Sequence, residues 1–196
     1  MENYETSISK LSKEINDDLS LSSDAKHNLN NIVNILLSKL VQQSTELMHP
    51  KNFVNPKKKL PEKKTLSAAE IETATILIIS PSKGLEDHSL NNGKKILTKV
   101  RNAKKGGTLA EKAGLILSVS KTANSIRNNL KKENLSVNAS IYATAVLEYI
   151  LAEILELSGN ECRSDKKKTI KPNHIKKAVE SDFELEVLMS TLNISL

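Results

Sequence analysis

The sequence predicts an all-α chain built from two unequal copies of one helical unit. Composition is the first sign. Of 196 residues 38% are apolar, yet there is no Trp and only two Phe and three Tyr, so the core must be aliphatic. The second is spacing. Leu29, Ile32, Val33, Leu36, Leu37, Leu40 and Leu47 recur at three- and four-residue intervals, the period of an amphipathic helix. The third is an internal repeat: "KTLSAAEIETA" from Lys64 and "KTIKPNHIKKA" from Lys168 share Lys-Thr, an aliphatic residue, then Ile and Ala in register.

The elements follow in order. Residues 6–16 form a short helix, and Ser22 or Ser23 is a candidate N-cap for a long one that runs to Met48, where His49 and Pro50 end it. A basic segment follows. Ser67 and Glu70 then have the spacing of a capping box that opens a third helix to about Ile79. "LEDHSLNNGKKILTKV" reads as a fourth helix. The segment "RNAKKGGTLAEK", with paired glycines and no sustained periodicity, reads as a linker. Beyond it come a helix at 120–129, a long helix at 138–157, a lysine loop and a last short helix from Pro172, after which "MSTLNISL" remains. The expected domains are residues 1–101 and 112–196, joined by a linker at 102–111.

Each long helix is too apolar to bury its faces within its own half, so the two are expected to cross. Crossing would set the loop before one long helix beside the loop after the other. Helix N-termini and basic loops then meet on the same edges, and both bind phosphate.

The formal charge is +6, and the 29 basic residues include only three arginines, Arg101, Arg127 and Arg163. Lysines cluster at positions 57–59, 63–64, 104–105 and 166–168. A lysine run by itself is a solvated face or a localisation signal; what distinguishes these is their place on the loops. Cys162 is the only cysteine, so no internal disulfide is possible; a structural thiol in a reducing compartment is expected. No apolar run approaches the ~20 residues of a membrane span, and the N-terminus lacks a secretory core, so a soluble intracellular protein with no membrane partner is expected. His27, His49, His88 and His174 are scattered without metal-ligand spacing, and no phosphate loop or nucleophile motif occurs. Neither an enzyme nor a cofactor is expected.

"AVLEYILAEILELSGN" followed by "KKKTIKPNHIKKAVESDFEL" resembles the middle and end of a core histone of the 2A type, and "KAGLILSVSK" is similar to that family's first-helix entry. The first half resembles the 2B type, through "SLSSDAKHNLNNIVN", "KTLSAAEIETA" and "GKKILTKV". A 2B-type unit ahead of a 2A-type unit resembles the histone doublets of giant DNA viruses. The resemblance implies two tandem histone folds, each short-long-short, paired head-to-tail as an intramolecular handshake. Its function would be sequence-nonspecific wrapping of double-stranded DNA in a nucleosome-like particle, for viral genome packaging. The partners would be type-3 and type-4 histones, with histone chaperones a further class. The location would be the virion and the host nucleus or viral factory.

Carried over by position, the resemblance assigns DNA contacts to Ser22, Ser23, Lys63, Lys64 and Thr65 in the first half. In the second half it assigns Lys112, Lys121, Arg127, Lys166, Lys167, Lys168 and Thr169. The family's groove-inserting arginine falls on Thr169, and two further arginines fall on Asn124 and Asn134, which implies softer wrapping. Glu148, Glu153 and Glu156 lie on one arc of the long helix. On spacing alone that is a solvated face, but with Asp182 and Glu184 they match the family's acidic patch for basic peptides. Phe183 replaces one family acid, and the two acids of the 2B type fall near Gly84 and on Asn92. The long basic 2B-type tail and most of the 2A-type extension are expected to be absent. Two other readings are a histone-fold transcription-regulator subunit, which would show base preference, and a protein that sequesters host histones or chaperones.

Overall fold

In the computed structural model, residues 2–49, 63–79, 83–103 and 106–195 are described. The first half comprises α1 (Glu5–Ile15), β1 (Ser20–Leu21), α2 (Ser23–Met48), β2 (Thr65–Leu66), α3 (Ala68–Ile79) and α4 (Lys83–Asn102). The second comprises α5 (Leu109–Ala113), α6 (Val119–Asn129), β3 (Asn134–Leu135), α7 (Val137–Ser164), β4 (Thr169–Ile170), α8 (Pro172–Ser181) and α9 (Phe183–Thr191). The strands are two-residue bridges, so the class is all-α. The lysine clusters expected at 57–59 and 104–105 lie outside the described residues.

Serine caps fix where the helices of each unit begin. Ser22 accepts the amide of Ala25 at the start of α2, Ser118 that of Lys121 at α6, and Ser136 that of Ala139 at α7. Glu70 reaches back to the amide and hydroxyl of Ser67 before α3. Each cap satisfies a donor that the helix itself leaves open.

The halves are joined by pairing rather than by the linker. β1 pairs in parallel with β4, matching Ser20 with Thr169 and Leu21 with Ile170; β2 pairs in parallel with β3, matching Thr65 with Asn134 and Leu66 with Leu135. Each bridge takes one strand from each half. The two halves therefore pair head-to-tail, the loop before one long helix beside the loop after the other. One core runs through both halves, with Leu29, Leu36 and Leu40 of α2 in the same buried cluster as Val146, Ile150 and Ile154 of α7. A smaller cluster packs Ile96 of α4 with Ala113, Leu115, Val119, Ile141 and Ala145 of the second half.

Three segments differ from the expectation. α7 continues to Ser164, well past Leu157, although Ser158, Gly159 and Asn160 are weak helix formers. Tertiary contact overrides propensity there: Gly159 packs against Asn16, and Arg163 in the last turn bonds Asp18. At the end of the segment read as linker and running past it, Leu109–Ala113 is helical, opened by a Thr108–Glu111 capping box and closed by Gly114 in the left-handed region. The last helix is broken at Asp182, whose carboxylate caps α9 by accepting the amide of Leu185.

Candidate nucleic-acid interface

At the β1–β4 edge, the Ser20 amide donates to the Lys168 carbonyl (2.9 Å) and the Ser22 amide to that of Ile170 (3.0 Å). The Ser20 and Thr169 hydroxyls bond each other at 2.8 Å. Ser22 and Ser23, at the start of α2, are thus brought beside Lys166, Lys167, Lys168 and Thr169. The chain leaves α7 with Lys166 at φ 54°, while the amides of Lys166 and Lys167 bond the carbonyls of Arg163 and Cys162. This wraps the helix end and leaves the three lysines exposed. A hollow of about 450 Å³ beside them is lined by Asp165, Lys167, Lys168, Thr169, Lys171, Asn173 and His174. His174 is buried, and its Nδ1 accepts the Lys171 amide at 3.0 Å, which puts its proton on Nε2, 3.5 Å from Asp165. Lys177 also binds Asp165 and holds its carboxyl below the usual range.

A joint between the halves anchors this edge. Arg163 donates to both oxygens of Asp18 (2.7 and 3.2 Å) and to Asn16 Oδ1 (2.9 Å), while Asn16 Nδ2 donates to the Leu155 carbonyl (3.0 Å). The Arg163 hydrogen bond lowers the Asp18 pKa.

At the β2–β3 edge, the Asn134 amide donates to the Lys64 carbonyl (2.8 Å) and the Ser136 amide to that of Leu66 (2.9 Å). Lys63, Lys64 and Thr65 are exposed here and face the loop carrying Lys131 and Lys132, also exposed. Lys63 is not independent, because its ammonium pairs with Glu70. Burial opposes ionisation of Glu70, but Lys63 and Ser67 together hold its pKa below the usual value.

The remaining DNA-side candidates lie outside both edges. Lys112 is half-buried in the last turn of α5. Lys121, in the first turns of α6, donates to the Asn3 carbonyl. Beside it, the Tyr4 hydroxyl bonds Thr122 (3.2 Å), and burial pushes that hydroxyl up to about 12. Arg127 is exposed and bonds Asn124 (3.2 Å). The structure therefore gathers Ser22, Ser23 and Lys166–Thr169 at one edge and Lys63–Thr65 at the other, and leaves Lys112, Lys121 and Arg127 outside both.

The acidic candidates separate by what they bond. Glu148 Oε2 accepts the amides of Ile116 and Leu117, both at 2.7 Å, and burial raises its pKa. Glu184 accepts the amides of Gly84 and Leu85 at the start of α4 (2.7 and 2.8 Å). Asp182 caps α9. Glu153 is a neighbour of Tyr149, whose hydroxyl pKa rises through burial and this carboxylate, and Glu156 is exposed. A hollow of about 210 Å³ is lined by Leu85, His88, Tyr149, Glu153, Leu157, Asp182, Glu184 and Leu185, with the His88 and Tyr149 rings stacked 6.2 Å apart. Phe183, 71% exposed, is an apolar neighbour of two of these acids in sequence. Three of the five carboxylates thus hold backbone amides of this chain.

Lys131, Lys132 and Lys171, which are not among the candidates drawn from the sequence, are also exposed at these edges. The signal for the first two was present: "KKENLS" sets a lysine pair just before the Ser136 cap, as other basic residues precede or follow the other caps. Among the described residues no group of three or more His, Cys, Asp or Glu side chains could hold a metal, and no helix is long and apolar enough to cross a membrane.

The family model described as histone-like transcription factor (CBF/NF-Y) and archaeal histone matches residues 120–179, which span α6 to α8. The chain is 42% identical over 94 residues to a probable 2A-type histone of Arabidopsis thaliana, a match covering 48% of this chain and 71% of that protein. The chain belongs to the histone family. A 2A-type histone of Volvox carteri is 39% identical over 92 residues, covering 47% of this histone and 71% of that one. The crystal structure of the histone from Methanopyrus kandleri aligns with 94% of this chain and 99% of its own, at a TM-score of 0.57 and 16% identity. That likeness concerns the fold, and it extends the histone architecture over both halves of this histone.

Proposed function

We propose that this histone is a structural chromatin protein that binds the phosphate backbone of double-stranded DNA without sequence preference. Its first half acts as a 2B-type fold and its second as a 2A-type fold, so one chain does the work of a two-chain dimer. It joins type-3 and type-4 histones in a nucleosome-like particle that packages a viral genome, in the virion and in the host nucleus or viral factory. One observation carries this reading: both basic edges are built from both halves. Lys63 and Lys64 lie across a strand bridge from Lys131 and Lys132, and Ser22 and Ser23 lie across another from Lys166–Lys168. Neither edge exists in an isolated half. Fusion makes the pairing independent of concentration.

Phosphate contacts of this kind release counterions, so affinity falls steeply with salt. Contacts by seven lysines of the two edges, including Lys171 and leaving out Lys63, which is paired with Glu70, would give a slope of log K against log salt on the order of −6. The test is binding to unrelated duplexes over a range of salt. Equal affinities on such a slope support the reading, and a shallow slope or strong base preference refutes it. A second reading, a transcription-regulator subunit, is favoured only by the description of the matching family model. Base preference would select it.

A further inference from the structure

We propose that Glu133, an acid in the middle of the basic β2–β3 edge, is a positioning residue for DNA binding that fixes the loop presenting Lys131 and Lys132 to phosphate. The inference rests on the DNA-binding reading above. An acid beside lysines on a DNA-facing edge would ordinarily repel DNA, so its presence needs a reason.

The geometry supplies one. Glu133 Oε2 accepts the backbone amides of both Lys131 (2.9 Å) and Lys132 (3.0 Å). Oε1 lies 2.6 Å from His49 Nε2. A carboxylate can only accept, so the imidazole carries its proton on Nε2. His49 is the C-cap of α2, in the other half of the chain. The carboxylate thus folds the lysine loop around itself and ties it to the partner half. Its side chain is only 13% exposed, although the two lysines it holds are exposed. The Lys132 amide, its own amide and His49 hold its pKa down to about 2, so the charge persists at neutral pH and is met by hydrogen-bond donors.

The other edge has a related joint with a different outcome. Asp18, just before β1, is gripped by Arg163 from the last turn of α7, again across the halves. Asp18 is flanked by Asp17 and Leu19, however, and presents no lysines. There the exposed lysines belong to the loop after α7 and are held by carbonyls of that helix's end. Lysine positioning by a first-loop acid is therefore specific to the β2–β3 edge.

Charge and positioning predict opposite signs. Removing Glu133 raises the net charge from +6 by one unit, which on charge alone tightens DNA binding. If Glu133 positions the lysines, removal loosens it. The experiment measures binding of the full chain to a random-sequence duplex by fluorescence anisotropy at several salt concentrations, for wild type, E133A, E133Q, K131A/K132A and the triple variant. The expected result is a Kd for E133A about threefold to tenfold weaker and a salt slope shallower by about 1 to 2, because two phosphate contacts lose their order. E133Q should fall between, and E133A should add little to K131A/K132A. A purely structural role would not change the slope. H49A, which removes one donor and leaves the loop sequence intact, gives the same reading in weaker form should E133A fail to fold. E133A or E133Q binding as tightly as wild type with the wild-type slope, or fully additive losses in the triple variant, overturns the positioning role alone. Absence of salt-dependent binding by wild type overturns the DNA reading, and this role with it.

Discussion

Gly159→Ala tests the joint between the halves with one added methyl group. In an exposed helix interior the change stabilises by about 1 kcal/mol, since alanine has the better helix propensity. Here a Cβ at position 159 would lie 2.7 Å from Asn16 Cγ and 2.9 Å from its Nδ2, and closer still to Oδ1. Asn16 is itself buried, so its carboxamide cannot move without breaking its bonds to Leu155 and Arg163. Overpacking of this kind costs about 1–3 kcal/mol. The neutral hydrogen bond adds about 1 and the one from Arg163 about 1.5, at the low end because Arg163 keeps Asp18. Set against the gain in propensity, the net loss is about 2.5–4.5 kcal/mol, or roughly 7–14 °C in Tm for a chain of this length. Guanidinium unfolding followed by far-UV circular dichroism, with an unchanged m-value, measures it. Asn16→Ala in the G159A background should cost little more, because the collision is then gone. G159A as stable as wild type, or more so, would refute the close contact of the two halves at this point.

Other outcomes follow from the same geometry. Lys64→Ala should weaken DNA binding more than Lys63→Ala, because Lys63 is committed to Glu70; equal effects in anisotropy titrations would remove that distinction. Glu148→Ala should destabilise by about 2–3 kcal/mol by orphaning the amides of Ile116 and Leu117, whereas Glu148→Gln, which keeps an acceptor, should stay within about 1 kcal/mol. If both variants are neutral in chemical denaturation, Glu148 has no internal role. Asp18, Asp165, Glu70, Glu111 and Glu133 all have carboxyl pKa values below their unfolded ones. Their contribution is full above about pH 4.5 and is lost as the pH falls through the folded values, near 2 for Glu133. Acid titration of unfolding should therefore show stability declining below about pH 4.5, and E133Q should remove the part of that decline between about pH 4.5 and 2 that Glu133 contributes.

The helices were legible because their signals are local. Ser22, Ser67 and the apolar stripe of α2 mark starts and faces within a few residues, and these appear where the letters place them. The extension of α7 was not legible. Ser158 and Gly159 read as a stop, and only Asn16, 143 positions away, makes a glycine the residue that fits. The capping box of α5 stands in the letters "TLAE", but a five-residue helix is too short to show a period. The acids show a further limit. Helical spacing puts Glu148, Glu153 and Glu156 on one arc but carries no sign that Glu148 closes over the amides of residues 116 and 117. The lysine loops were visible as charge, while the strand bridges that join them across the halves depend on pairing between distant dipeptides with no strand signature.

One chain is proposed to supply the fused histone pair of a nucleosome-like particle. Reconstitution of the full chain with type-3 and type-4 histones on long random-sequence DNA, followed by micrococcal nuclease digestion, tests it most directly. The expected result is a discrete protected fragment on the order of 100–150 base pairs that requires both components. A digest indistinguishable from that of the type-3 and type-4 histones alone would contradict it.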